Sequence, residues 1–494
     1  MNLTTELDEM RTGIRQVALD YKLDFFPTMF ELVDYNRMNE IASFGGFPTR
    51  YPHWKFGMEY EQLSKGYAYG LQKIYEMVIN NDPCYAYLME SNEMVDQKLV
   101  MAHVYGHSDF FKNNYWFAMT DRKAMDTMAN HGSRIRGYIK KYGFDAVEAF
   151  LDVCLTIENL IDPYSPFIKR PVSSKDTDDK PDKPVKKIES KKYMDSFINP
   201  EAFLEDQKKK NEDAKETEKR IPEHPEKDVL LFLLEYAPLE KWQQNILSII
   251  RDESYYFAPQ AQTKIMNEGW ASYWHSKIMT SKCLTDSEVV DYADHHSGTM
   301  GVSPGHMNPY KLGIELFKDI EDRWNKGKFG KDYDDCDQTN ELAQWNKNLG
   351  LGREKIFEVR KIHNDITFID TFLTKEFVSN QKMFTFGLDK SSGNYVIQDR
   401  EFKKIKDTLL FNLTNIGQPF IYVLDGNYKN RGELYLKHRF EGLSLEKKYA
   451  RDTLKSVCNL WGRPVNLETV EENKDILISF DGSDYKEVFM GLRK

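Results

Sequence analysis

Met101-Ala102-His103-Val104-Tyr105-Gly106-His107-Ser108-Asp109-Phe110-Phe111 lies inside a stretch, 84–165, in which apolar residues recur at helical spacing. The pattern predicts one helix from Glu93 to Asn113, a second over 121–141 and a third over 145–161. On the first, His103 and His107 are four residues apart. That spacing puts both imidazoles on one face, one turn apart, where they can chelate a single ion. With eleven histidines in the chain, one such pair can arise by chance. A histidine pair can also be a hydrogen-bonded piece of core.

A second stretch adds weight to the metal reading. Ile265-Met266-Asn267-Glu268-Gly269-Trp270-Ala271-Ser272-Tyr273-Trp274-His275 is a later, strongly apolar helix carrying one carboxylate. A buried carboxylate needs a partner, either a Lys or Arg side chain or a cation. Zinc peptidases of the gluzincin class resemble this arrangement: a His-x-x-x-His helix, then a downstream helix with the third ligand, often after Asn. The expected metal ligands are therefore His103, His107 and Glu268. Zinc is the expected ion, with iron as the alternative, because two histidines and a carboxylate also suit non-haem iron.

The match has a gap. The residue after the first histidine is the general base in those peptidases, and here it is Val104, which cannot move a proton. Asp109, Tyr105, His131, Glu158 and His275 are the candidates to replace it. Glu158 sits in an apolar stretch, where burial would raise its pKa. His275 is seven residues after Glu268, two turns on along the same face. It could be a ligand, a proton shuttle or a partner of a ligand. Glu158 and His275 are taken forward as the catalytic candidates. His295-His296 with His306 form a further cluster, read equally as a loop that closes the site. The Gly-rich loop 297–306 has no phosphate-cradle pattern, so it supports no nucleotide site.

Outward from these helices, 1–168 and 229–380 read as two parts of one large helical domain. Helices are expected over 60–79, 229–252, 257–280, 285–295, 309–325, 338–348 and 353–378. Between the two parts, 169–228 holds sixteen basic and sixteen acidic residues and few large apolar ones. Such a segment cannot bury a core and is expected to be a disordered insertion. From 381 the period turns strand-like. Asp407-Thr408-Leu409 recurs as Asp452-Thr453-Leu454, and Gly417-Gln418-Pro419 as Gly462-Arg463-Pro464. A duplicated αββ unit, with strands at 419–424, 432–438, 464–469 and 475–480, predicts a small C-terminal α+β domain over 381–494. The fold class expected is mainly α: a helical domain with a gluzincin-like His-x-x-x-His helix, followed by that α+β domain.

Composition narrows the function classes. The net charge of −10 argues against a nucleic-acid partner, since phosphate contacts need clustered Lys and Arg. No basic stretch followed by an apolar run opens the chain, and no run reaches about 18 apolar residues, so neither a signal peptide nor a membrane span is expected. Five scattered cysteines without a CxxC pair suit a reducing compartment, and the cytoplasm is the expected location.

Several long motifs, in order, resemble the stage V sporulation protein R (SpoVR) family: Glu-Tyr-Glu-Gln-Leu-Ser-Lys-Gly-Tyr (59–67), His-Val-Tyr-Gly-His-Ser-Asp-Phe-Phe-Lys-Asn-Asn (103–114), Asn-Glu-Gly-Trp-Ala-Ser-Tyr-Trp-His (267–275), Asn-Pro-Tyr-Lys-Leu-Gly (308–313) and Ile-Asp-Thr-Phe-Leu-Thr (369–374). The resemblance covers nearly the whole chain. It implies a role in spore-cortex peptidoglycan formation or, in bacteria that make no spores, in stress response. There the family often accompanies a PrkA-type serine kinase and a von Willebrand-like protein. It implies no particular reaction. Three readings stay open: a metal-dependent hydrolase acting on a cell-wall amide, a regulator or scaffold whose metal is structural, and an iron-dependent redox enzyme.

Overall fold

The structure is a computed structural model describing residues 3–68, 76–168, 200, 205, 220–301, 307–388 and 393–492. From the N-terminus, α1 (Thr5–Asp20) leads into β1 (Thr28–Val33), α2 (Tyr35–Ser43) and α3 (Trp54–Ala68). Strands β2 (Glu76–Ile79) and β3 (Cys84–Met89) follow, then α4 (Met94–Asn113), α5 (Ala124–Tyr142) and α6 (Phe144–Thr156). Next come α7 (Val229–Tyr236), α8 (Lys241–Gln262), α9 (Lys264–Ile278) and α10 (Val289–Thr299). The helical run ends with α11 (Pro309–Lys326), α12 (Lys331–Asp334), α13 (Thr339–Gln344), α14 (Gly352–Ile362), α15 (Asp365–Phe372) and α16 (Lys375–Asn380). A hairpin of β4 (Thr385–Leu388) and β5 (Tyr395–Asp399) precedes α17 (Phe402–Leu413), β6 (Phe420–Tyr428) and β7 (Glu433–Arg439). Last are α18 (Lys447–Trp461), β8 (Val465–Glu471), β9 (Lys474–Phe480) and β10 (Tyr485–Leu492).

The chain divides into two compact units, Met1–Val147 with Tyr255–Gly417, and Glu148–Ser254 with Gln418–Lys494. In the first, α4, α9, α11 and α14 pack around a core that includes Val104, Trp270, Trp274, Phe317 and Phe368. A small sheet in the order β1-β3-β2 covers part of it, with β1 parallel and β2 antiparallel to β3. In the second, a five-stranded sheet runs β10-β9-β8-β7-β6, and only its β7–β8 pair is parallel. There α18 lies against β8 and β9, α7 lies against β6, and Phe232 meets Trp461 at 5.6 Å between ring centroids.

Several elements differ from the sequence expectation. The helix expected over 60–79 ends at Ala68, and Glu76–Ile79 is strand β2 paired with Tyr85–Leu88. A run as short as Met77-Val78-Ile79 does not distinguish helix from strand, and pairing decided this one. The helix expected over 229–252 is broken before α8, where Pro238 cannot continue α7. The one expected over 353–378 is three helices, because the side chains of Asn364 and Thr374 accept backbone N–H bonds and start new ones. Beyond residue 402 the order helix, strand, strand does recur, but the two helices pack differently. α17 buries Ile405 in the helical unit and lies on α15, whereas α18 covers the sheet. The expected insertion 169–228 falls mostly outside the described residues. At its end, Glu226 bridges to Val423 and Asp228 caps α7.

Two devices position α9. The first is close packing at glycine. A Cβ on Gly106 would lie 2.7 Å from the Cα of Ala271, and one on Gly269 would lie 2.4 Å from the Cα of Gly313. These contacts are possible only because no side chain intervenes, so the α4, α9 and α11 backbones come nearer than ordinary helix packing allows. The second is a cap from a distant residue. The buried Asp365 carboxylate accepts the backbone N–H groups of Ile265 at 2.8 Å and Met266 at 2.9 Å, satisfying the first turn of α9.

Gly269→Ala should cost about 1–3 kcal/mol by overpacking. Gly137→Ala, in α5 with nothing within 4 Å, should gain about 0.5–1 kcal/mol. Denaturant unfolding measures both, and equal effects would contradict the close crossing. Asp365→Ala should cost about 1–2 kcal/mol and speed amide exchange in the first turn of α9. Unchanged exchange there would show that the cap does not hold the helix.

Candidate metal centre

Every residue from Val100 to Phe111 is buried, so α4 runs through the core with both histidines inside. On α9, Ile265 through His275 are buried as well. Because Gly106 seats against Ala271, the turns on either side of that contact face each other. They carry His103 and His107 from one helix and Glu268 from the other. The Nε2 atoms of His103 and His107 lie 3.4 and 3.5 Å from Oε2 of Glu268. One donor atom from each residue lies within 4.8 Å of the other two, and the buried group could hold a metal ion.

The hydrogen bonds around the three residues aim their inner atoms at one point. His107 Nδ1 lies 2.9 Å from Asn267 Oδ1, which can only accept, so the proton is on Nδ1 and the Nε2 lone pair faces inward. His103 Nδ1 lies 2.9 Å from His275 Nδ1. Lys264 Nζ donates to Glu268 Oε1 at 2.5 Å, whereas the buried Oε2 makes no hydrogen bond of good geometry and has the two imidazoles as its ion-pair neighbours. An anionic oxygen left facing two ring nitrogens at this depth costs free energy unless a positive charge sits among them. A proton shared as an imidazolium–carboxylate bond would draw the atoms to about 2.7–2.9 Å. The observed 3.4 and 3.5 Å are wider than that and leave the three donor atoms spaced so that they could share a metal ion.

The electrostatics set the two histidines apart. Burial pushes the His103 imidazole down to about 4, with His107 adding to the effect, so the ring is neutral and offers a lone pair. Burial alone would lower His107, but the Glu268 charge and the Asn267 contact outweigh it and leave its pKa raised. Burial works against ionising Glu268, yet His107, His103 and Lys264 together hold its carboxyl well below the usual range.

Of the residues singled out in the sequence, His103, His107, Glu268 and His275 come together. Glu158 belongs to the second compact unit and is half-buried there, while the cluster is built from the first. Val104 is fully buried in the apolar core. Asp109 is occupied by Arg360 at 3.0 Å, the Trp270 indole N–H at 2.8 Å and the Asp24 backbone N–H at 2.7 Å. Tyr105 packs between Phe25 and Phe30, and His131 is buried on α5. His295 bonds to Asp96 and His296 to His275, while His306 lies outside the described residues.

Three neighbours went unnoticed in the sequence. Glu76, on β2, is in the same electrostatic environment. Burial raises its carboxyl to about 7, with His107 opposing and Glu268 adding to the rise. No local signal marked it, because its segment reads as helix. Tyr310, at the start of α11, stacks near His103 at 6.3 Å between ring centroids, and burial and the Glu268 charge keep its hydroxyl protonated. Lys264 was legible only as a helix-surface lysine four residues before Glu268.

The family model described as SpoVR like protein matches residues 2–418, and that described as SpoVR-like C-terminal domain matches residues 419–472. An Escherichia coli (strain K12) protein, described as Uncharacterized protein YcgB, is 31% identical over 495 residues, which covers 95% of this chain and 93% of its own length. No solved structure matches. The longer match takes in α4, α9 and the whole His103–His107–Glu268 group, and the chain belongs to the SpoVR family.

Proposed function

We propose that the chain is a zinc-dependent amide hydrolase of the SpoVR family, with His103, His107 and Glu268 as the metal ligands. The observation that supports this most directly is the buried Oε2 of Glu268 facing two imidazole Nε2 atoms at 3.4 and 3.5 Å. The donor set also favours a reactive site over a structural one. Structural zinc sites are closed by four protein ligands, and the group found among the described residues has three.

A zinc ion held there would lower the pKa of a bound water and polarise a carbonyl. The remaining work falls to side chains. Glu76, with its carboxyl near neutrality, takes the proton that Val104 cannot. Tyr310 keeps its own proton and donates a hydrogen bond to a developing oxyanion. Lys264 holds Glu268 ionised from the far oxygen. The family's link to spore-cortex formation makes a cell-wall peptide amide the first substrate class to examine. By the same resemblance the protein works beside a PrkA-type kinase, and the scattered cysteines suit the cytoplasm. In keeping with this, no described helix is long and apolar enough to cross a membrane.

One observation favours a second reading, a regulator or scaffold with a structural ion. Val104 is packed in the core where a gluzincin carries its base, and Glu76 comes from a different element.

Metal analysis of untagged protein by mass spectrometry should find about one zinc per chain. His103→Ala and Glu268→Ala should lose it while staying folded by circular dichroism. Iron in its place would point to redox chemistry, and a folded protein that carries no metal and cannot be loaded with one would overturn the site. Glu76→Gln should keep the zinc but slow hydrolysis of a muropeptide amide by about 10²–10⁴-fold. Zinc in the parent with no hydrolysis of any such amide would favour the scaffold.

A further inference from the structure

A line of three histidines leads out of the metal centre. His103 Nδ1 lies 2.9 Å from His275 Nδ1, and His275 Nε2 lies 3.1 Å from His296 Nδ1. His296 is on α10, half-buried, with the Tyr292 ring stacked on it at 5.6 Å between centroids. α10 is also fastened to α4 beside the site. His295 Nδ1 and Asp96 Oδ1 are 2.5 Å apart, and Lys98 Nζ reaches both carboxylate oxygens of Glu288, just before α10, at 2.8 and 2.7 Å.

A neutral imidazole carries one N–H, so each ring in the line donates on one side and accepts on the other. The direction of the line follows from what His103 does with Nε2. To bind a cation, Nε2 must be bare, so Nδ1 carries the hydrogen and donates to His275 Nδ1. His275 then carries its hydrogen on Nε2 and donates to His296 Nδ1, and His296 accepts. If His103 instead carries its hydrogen on Nε2, towards Glu268, every bond in the line reverses and no metal can bind. The metal-binding tautomer of His103 therefore requires an acceptor at His296.

We propose that His296 is a positioning residue for the metal ligand His103, acting through His275, so that docking of α10 and loading of the metal site favour each other. The inference rests on the reading of His103 as a ligand. It adds an element outside the ligand helices to the site. Partners that orient a ligating histidine are worth about 10–100-fold in metal affinity.

The test is zinc affinity, measured by competition with a chromophoric chelator, on the full chain and on His296→Leu, His296→Asn and His275→Phe. The Asn side chain places an acceptor oxygen where Nδ1 of His296 stands. His296→Leu should weaken zinc about tenfold and His275→Phe up to about 100-fold. His296→Asn should stay within about threefold of the parent. Zinc should also slow amide exchange across 289–299 in the parent and in His296→Asn, but not in His296→Leu. Comparable melting temperatures of the metal-free variants separate positioning from a packing defect. The proposal is overturned if His296→Leu binds as tightly as the parent, or if Asn is as weak as Leu. A parent that binds no zinc overturns the ligand reading itself, which is a different result from a zinc-binding parent indifferent to His296.

Discussion

The arrangement depends first on three helix backbones meeting at glycines, with nothing larger than the Ala271 methyl between them. Gly106 lies against Ala271, and Gly269 against Gly313, so α9 is held between α4 and α11 at contact distances that any Cβ would violate. Metal ligands on separate helices must agree to a fraction of an ångström. A side chain at the crossing would move Glu268 away from the imidazoles by more than that tolerance. Close packing and site geometry are here one constraint. The Asp365 cap adds axial position to it by fixing the first turn of α9 from another helix.

The buried carboxylates show how this site differs from ordinary core. Asp109 has Arg360, Trp270 and a backbone N–H on its two oxygens. Asp365 accepts one backbone N–H on each. In the second unit, Asp228 takes the Leu231 N–H on one oxygen and Arg251 on the other. Each is a satisfied structural group. Glu268 has Lys264 on one oxygen, while the other makes no hydrogen bond of good geometry and faces two histidine nitrogens at 3.4 and 3.5 Å whose rings are bonded outward through Nδ1. Similar residues in a similar setting thus separate into fold-holding groups and one that, with two histidines, could hold a metal ion.

Part of the site was legible in the chain itself. A four-residue spacing on a helix places His103 and His107 on one face whatever surrounds them, because the helix period is a local property. Glu268 was identifiable as the one carboxylate in an apolar helix. Asn267 and His275 sat beside it in the same motif. The C-terminal strands were also readable, since alternation with a period of two is a local signal, and β6 to β9 fall within a few residues of where it placed them.

Tertiary structure alone decided the rest, because the deciding contacts join residues far apart in the chain. Glu76 reads as part of a helix until β2 pairs with β3, and only then does its carboxyl share the environment of His107 and Glu268. Glu158 has the same local apolar surroundings that suggested a buried base, yet its segment joins the other compact unit. The two helices of the apparent repeat look alike in sequence, but α17 packs in the helical unit and α18 on the sheet. His275 and His296 are 21 residues apart, and nothing local says that their ring nitrogens meet. Periodicity determines which face of an element is buried. Which element that face meets is set by packing, and packing is where the ligands gain their partners.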